Sequence, residues 1–417
     1  MFNQFRPGDV EVLSLMLHSD DGSREYDLRQ VVRSMDIYES IMSPIIVARL
    51  DIQDSFDLLR SFPIITEEYV EFSFRLDGET NPTNLRLHVK EVLDVRINEQ
   101  QTMKTYTLTL VSQELLDNAS RYVNQRFTAE ISSSVREILE RTLQTTKPMN
   151  IEPTKGIDNV LITRQQPLRA IDQLRRRAVS RKYASSSYAF FENKHGINFV
   201  TLEGLFDQGA RNGVGDKVFF ADSNVNDNSL KSTFRNMIAY HQVQFADSID
   251  KIQQGGLNNK VAVMDFKTGG YRVLNFNETQ SGDVFKSVNK EPVGQNSSYY
   301  TSKHSRTSGK TMLVPYDSSR NALELPEKVS RMQAYTQRIA QNIIQIFIWG
   351  DNEITAGDVI EVHFPSAKGT TDTGSRTDRL SSGKFLVAKL RHMFTFGAKP
   401  VYTQSCELIN GEMFEGA

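Results

Sequence analysis

The chain has 417 residues, more than one hydrophobic core usually holds, so two to four domains are expected. Its 49 Lys and Arg against 51 Asp and Glu leave a net charge of -2, which argues against a nucleic-acid footprint and against a highly acidic tail. The single cysteine, Cys406, excludes an intrachain disulfide, and the opening Met1 to Pro7 has no apolar core like that of a signal peptide, so folding in a cytoplasm is expected.

In chain order, Glu11 to Leu17, Ile45 to Ile52, Tyr69 to Phe74, Leu85 to Val89 and Tyr106 to Leu110 read as strands. The last alternates Thr and Leu strictly, as a half-buried strand should. Short strands at this spacing predict a small barrel or sandwich. After about residue 127 the period changes. Ser134 to Glu137 has the spacing of a capping box, and Val135, Ile138, Leu139 and Leu143 recur on one helical face. Pro167 suits a first helical turn, and Leu168, Ile171, Leu174 and Ala178 form a second apolar stripe. Tyr188 to Phe191 and Ile197 to Val200 then flank a short loop ending in Gly196, which predicts a hairpin.

The stretches from Asp207 to about Ser232 and from Asn277 to Arg320 are rich in Gly, Asn and Ser and read as connectors or exposed excursions. Between them, Val261 to Asp265 and Tyr271 to Leu274 flank Thr268-Gly269-Gly270 as another hairpin. Beyond Glu327, a helix with Met332, Tyr335 and Ile339 on one face leads into a last β-rich segment. Its most apolar run, Ile343 to Trp349, is interrupted by Gln345 and has the length of a strand, not of a membrane span, so a soluble protein is expected.

That last segment repeats the first in outline. Ile65 to Phe74 matches Ile354 to Phe364 with one residue inserted, Leu87 to Val92 parallels Phe385 to Leu390, and closing strands carry Tyr106-Thr107 and Tyr402-Thr403. The alternative is that two small β-barrels look alike at this resolution.

Catalytic chemistry is hard to find. His18, His88, His195, His241, His304, His363 and His392 are scattered, with no pair at helical zinc spacing. Ser308-Gly309-Lys310-Thr311 ends like a phosphate-binding loop, but His304 stands where that motif wants Gly. Gly209 to Gly215 lacks dinucleotide spacing, and Cys406 in a predicted strand reads as a small buried residue. Adjacent acids such as Glu67 and Glu68 or Asp20 and Asp21 read as solvated. Arg164, Arg169, Arg175, Arg176, Arg177, Arg181 and Lys182 form one basic cluster without interleaved aromatics, so pairing with acids of the fold or with a subunit outranks nucleic-acid binding. No catalytic residue, cofactor or metal is expected.

Together these features resemble the baseplate central hub proteins of contractile-tailed, T4-like bacteriophages. The resemblance rests on Gln166 to Leu174, on Tyr188 to Phe199 with its Phe191-Glu192-Asn193 turn, on Ile249 to Gly256 with Val261 to Asp265, and on Gly350 to Ile360. It implies a mixed α+β, mainly β chain. A first β-barrel domain would span 1-120, an α+β domain of helices and aromatic hairpin 121-232, a hairpin and loop-rich region 233-326, and a second β-barrel domain 327-417. It further implies a homotrimer whose six barrels meet a six-fold tail tube protein, with a separate spike protein on the three-fold side and other baseplate proteins around it. The protein would be a non-enzymatic part of the virion, assembled in the host cytoplasm, without membrane contact before infection and without a specific nucleic acid. Within the loop Lys368 to Gly383, Lys368, Arg376 and Arg379 are candidate partner contacts. The alternatives are the hub of a related injection machine, such as a tailocin or a type VI-like secretion system, and a tail enzyme that cleaves cell-wall glycan.

Overall fold

The computed structural model describes residues 7-76, 79-100, 102-183, 186-212, 217-221, 235-245, 254, 258-265, 267-277, 291-292, 310-316, 325-339, 342-365, 378, 381-410 and 412-413. The N-terminal strands are β1 (Val10–His18), β2 (Glu25–Asp27), β3 (Val32–Ser40), β4 (Val47–Asp54), β5 (Tyr69–Leu76), β6 (Thr83–Ile97) and β7 (Lys104–Val111). The middle contributes β8 (Val123–Ala129), β9 (Met149–Ile151), β10 (Asp158–Gln165), β11 (Tyr188–Asn193), β12 (Gly196–Thr201), β13 (Val218–Phe220), β14 (Ala239–Phe245), β15 (Asn258–Asp265), β16 (Tyr271–Asn277), β17 (Glu291–Pro292) and β18 (Lys310–Tyr316). The last strands are β19 (Asn342–Trp349), β20 (Val359–His363), β21 (Gly383–Thr395), β22 (Val401–Asn410) and β23 (Glu412–Met413).

These segments are strands because their apolar residues recur with period two. In β4, Ala48, Leu50 and Ile52 are buried while Arg49 and Asp51 face solvent. In β19, Ile344, Ile346 and Ile348 are buried, and Gln345 turns to the other face to bond the Ser405 hydroxyl at 2.9 Å. The chain is mainly β, as expected.

The expected pair of separate barrels is corrected by the ladders. Strands from both ends of the chain belong to one thirteen-stranded sheet, ordered β14-β19-β22-β21-β3-β4-β7-β6-β5-β1-β2, with β20 beside β21 and β13 beside β20. The cause is β3: its free edge is taken by residues Lys389 to Thr395 of β21. The sheet curls until β1 approaches β22, yet they share only the bridge between Asp9 and Val401, so no barrel closes. Two cores result. One gathers Leu15, Leu50, Phe72, Val89 and Leu108 and is completed by Phe394 and Tyr402 from the far end of the chain. The other holds Ile344, Ile346, Ile360, Phe385, Val387, Cys406 and Leu408. Burying a residue such as Phe394 stabilises by roughly 1.5–3 kcal/mol, so the first core depends on strands from the opposite end of the chain.

In the middle of the chain, helices Ile131–Glu137, prolonged by π-type turns to Leu143, and Pro167–Arg175 pack on one face of the β11-β12 hairpin. Val135, Ile138, Leu139, Leu143, Ile171, Leu174 and Ala178 are buried as their spacing predicts. The capping-box reading is corrected: the helix begins at Ile131 after Glu130, and Ser134 lies inside it, its hydroxyl donating to the Glu130 carbonyl at 3.2 Å. The connector reading after Asp207 is corrected in part, since helix Leu202–Asn212 runs into it. So is the excursion after Asn277, where Lys310–Tyr316 forms β18, parallel to β15. The β15-β16 hairpin forms as predicted and is backed by helix Leu325–Ile339, in which Tyr335 and Ile339 are buried.

Candidate assembly interface

The sequence repeat is a repeat of registers. Val70 stands opposite Leu87 between β5 and β6, and its counterpart Ile360 stands opposite Phe385 between β20 and β21. His88 and Val89 face Val111 and Leu110; their counterparts Leu386 and Val387 face Ile409 and Leu408. Both ladders slip at the same place, between Val89 and Glu91 and between Val387 and Lys389. Ala48 of β4 pairs with Leu110 as Ile344 of β19 pairs with Leu408. The spatial orders β3-β4-β7-β6-β5 and β14-β19-β22-β21-β20 therefore correspond strand for strand, in the same chain order. One detail is corrected. With Leu110 matched to Leu408, Tyr106 falls at the position of Gln404, not of Tyr402.

The two repeats meet where β3 runs along β21, from Ser40 opposite Lys389 to Ser34 opposite Thr395. On the outer face Arg391 bonds Asp36 at 2.6 Å and lies over the Tyr38 ring. On the inner face Glu39 and His392 are buried, with Oε1 and Nε2 3.4 Å apart, and His392 Nδ1 is 2.6 Å from the Tyr402 hydroxyl. Burial pushes the Glu39 carboxyl up, but His392 and the Ala356 N–H outweigh it and hold the group below its ordinary value.

The aromatic hairpin locks this joint. Phe191 packs against Gly357, whose φ of +95° keeps a side chain out; a Cβ there would come within 2.9 Å of the Phe191 ring. The Glu192 carboxylate accepts the Ile46 N–H at 3.2 Å and bonds Lys147, which reaches Glu114 at 2.6 Å. Burial raises the Glu192 carboxyl, Lys147 opposing and Glu114 adding to the rise. Asn193 donates to the Ala356 carbonyl at 3.0 Å, and the Lys194 N–H donates to Glu39 at 3.1 Å. One turn thus ties the first sheet, the middle helices and the entry to the second repeat. The buried Lys194 Nζ has no hydrogen-bond partner.

Six of the seven residues of the basic cluster are engaged within the fold, and Arg169 is exposed. Arg175 and Arg176 share Asp172, Arg177 bonds Asp158, Arg181 bonds Glu130 and Lys182 bonds Asp207, while Arg164 lies over the Tyr122 ring. Glu68 is buried rather than solvated, accepting the N–H groups of Ile65 and Thr66, and Asp21 accepts from Ser19 and Ser23. Cys406 is buried and its thiol is pushed up by burial. Among the described residues no cluster has the makings of a metal site, and no helix is long and apolar enough to cross a membrane. Lys368, Arg376 and Arg379 lie outside the described residues, as do Ser308 and Gly309. Lys310 and Thr311 start β18.

Two surfaces escaped sequence reading. The outer half of β6 exposes Leu93, Val95 and Ile97, and β14 exposes Tyr240 and Val243 beside Ile238. Pattern alone could flag Val92-Leu93 and Val95 with Ile97 as a continuing strand, but not its missing neighbour.

The sequence matches no protein-family model and no curated protein. Solved structures do match. A tail protein from Neisseria meningitidis MC58 superposes with a TM-score of 0.55 over 95% of this chain and 96% of its own, at 10% identity. The 43 kDa tail protein of prophage MuSo2 from Shewanella oneidensis gives 0.56 over 96% and 99%, also at 10% identity. The chain therefore has the fold of these two tail proteins along nearly its whole length.

Proposed function

We propose that the chain is a structural component of a phage-type tail, and that it serves as the central hub of a baseplate. In this role three copies form a ring that meets a six-fold tail tube on one side and a separate trimeric spike on the other, within the virion. The observation that carries the proposal is the register-level duplication: one chain presents two equivalent sheets joined edge to edge, which is what a three-fold ring needs to offer six similar docking surfaces. The likeness of the whole fold to two tail proteins supports it. The proposed role is structural and includes no catalytic step.

Mass measurement of the purified chain, followed by class averages of stained particles, tests the reading. The expected result is a trimer with pseudo-six-fold outline. A chain that stays monomeric with tube and spike proteins present overturns the hub role, and turnover of purified peptidoglycan overturns the purely structural one.

A further inference from the structure

Among the strand edges that have no described neighbour, two are the counterparts of the two edges that meet inside the chain. β3 corresponds to β14: Met35 lies opposite Leu50 as Tyr240 lies opposite Ile346, and Leu50 and Ile346 lie opposite Leu108 and Cys406. β3 has β4 on one side and β21 on the other, whereas among the described strands β14 pairs with β19. Likewise the far half of β21, Lys389 to Thr395, lies between β22 and β3, whereas the matching half of β6, Glu91 to Ile97, has β7 alone.

Both edges expose apolar residues, between which β6 also exposes Asp94 and Arg96 and β14 exposes His241. Ile238, Tyr240 and Val243 are 47%, 50% and 55% exposed, and Leu93, Val95 and Ile97 are 39%, 52% and 57% exposed. Ala239 to Phe245 contains no Lys, Arg, Asp, Glu, Pro or Gly, the residues that ordinarily blunt an open edge.

We propose that β14 of one copy pairs with the Glu91 to Ile97 stretch of β6 in the next copy, repeating between chains the β3-β21 joint found within each chain. The inference rests on the ring reading above and names its contact. The occupant is a second copy because each open edge sits where its counterpart in the other repeat is already paired, so one heterologous contact satisfies both. Such a contact closes a ring when the rotation fits, with joints within and between chains alternating around it. The register follows from the internal joint. There Met35 stands opposite Phe394. Tyr240 holds the place of Met35, and Ile97, opposite Lys104, holds that of Phe394, opposite Tyr402. Tyr240 of one copy therefore faces Ile97 of the next.

Paired cysteines read this register. Ile97→Cys and Tyr240→Cys are co-expressed as separate chains and oxidised mildly; native Cys406 is fully buried and does not compete. The expected result is a disulfide-linked dimer from the mixture and from neither variant alone, with the doubly substituted chain giving a covalent ring. Tyr240→Lys combined with Ile97→Lys should leave the chain folded, with only the small loss in melting that follows from the Tyr240 ring leaving Phe364, while abolishing the ring. A trimer by mass that gives no cross-link from the mixture overturns this joint and leaves the hub role standing. Cross-linking by either single variant alone overturns it as well, because that requires like edges to meet. A monomer without cross-links overturns both readings.

Discussion

Glu39 of the first repeat and His392 of the second face each other across the joint, Oε1 to Nε2 3.4 Å apart, both shielded from solvent. The same carboxylate accepts the backbone N–H groups of Lys194, at the hairpin turn, and Ala356, at the entry to the second repeat, at 3.1 and 3.0 Å. One side chain so connects three regions of sequence. A carboxylate with these partners can sit in a core that would otherwise reject it.

Replacing Glu39 by Gln should therefore lower unfolding free energy at neutral pH by about 2–3 kcal/mol, the worth of charged hydrogen bonds. Because the folded protein holds this carboxyl below its ordinary value, its contribution is present above the usual carboxylate range and is lost as pH falls through the depressed value. Urea melts of both proteins at pH 7 and at acid pH check this. Equal midpoints at pH 7 would show that Glu39 is not the link.

Lys147 neutralises Glu114 and Glu192, which are 6% and 2% exposed. Lys147→Met should cost about 3–5 kcal/mol, because it leaves buried carboxylates without their counter-charge. Lys147→Met combined with Glu192→Gln should recover part of that loss. A single variant that melts like the parent would refute the buried cluster.

Leu87 and Phe385 are counterparts in the two repeats, 3% and 0% exposed. Truncation of either to Ala should cost about 2–5 kcal/mol. Leu87→Asp or Phe385→Asp should abolish soluble expression, since an unpaired buried charge costs several kcal/mol more. Normal melting of an Asp variant would disprove the inward assignment of its strand.

Gly357→Ala separates close packing from backbone strain. Both Gly357 and Gly269 have positive φ, +95° and +70°, but only at Gly357 would a Cβ strike a neighbour, Phe191 at 2.9 Å. Gly269→Ala should cost about 1 kcal/mol from conformation alone, and Gly357→Ala roughly 1–3 kcal/mol more as Phe191 is displaced. Melting curves of the two variants side by side decide it; equal losses would remove the steric role of Phe191.

The sequence by itself determined the elements whose periodicity is unbroken. β4, β5, β7 and β19, the hairpin β11-β12 and the apolar stripes from Val135 and from Leu168 needed only the alternation or helical spacing of their own residues. It also carried the duplication, as matched runs around Glu71 and Glu361. Where a charge sits on the inward row, the pattern hides the strand: β3 went unread because its buried positions include Met35, Ile37 and Glu39, and the carboxylate breaks the apolar alternation. What no local pattern carries is which edges meet. That β3 finds β21 instead of closing its own barrel, that Glu192 and Asn193 hold the joint rather than face solvent, and that β14 and the outer half of β6 are left open are all decided by contacts between residues far apart in sequence. A strand's hydrogen-bonding edge is backbone, the same for every residue type but proline, so side-chain order sets which face of a strand is buried while only the assembled sheet decides its neighbours.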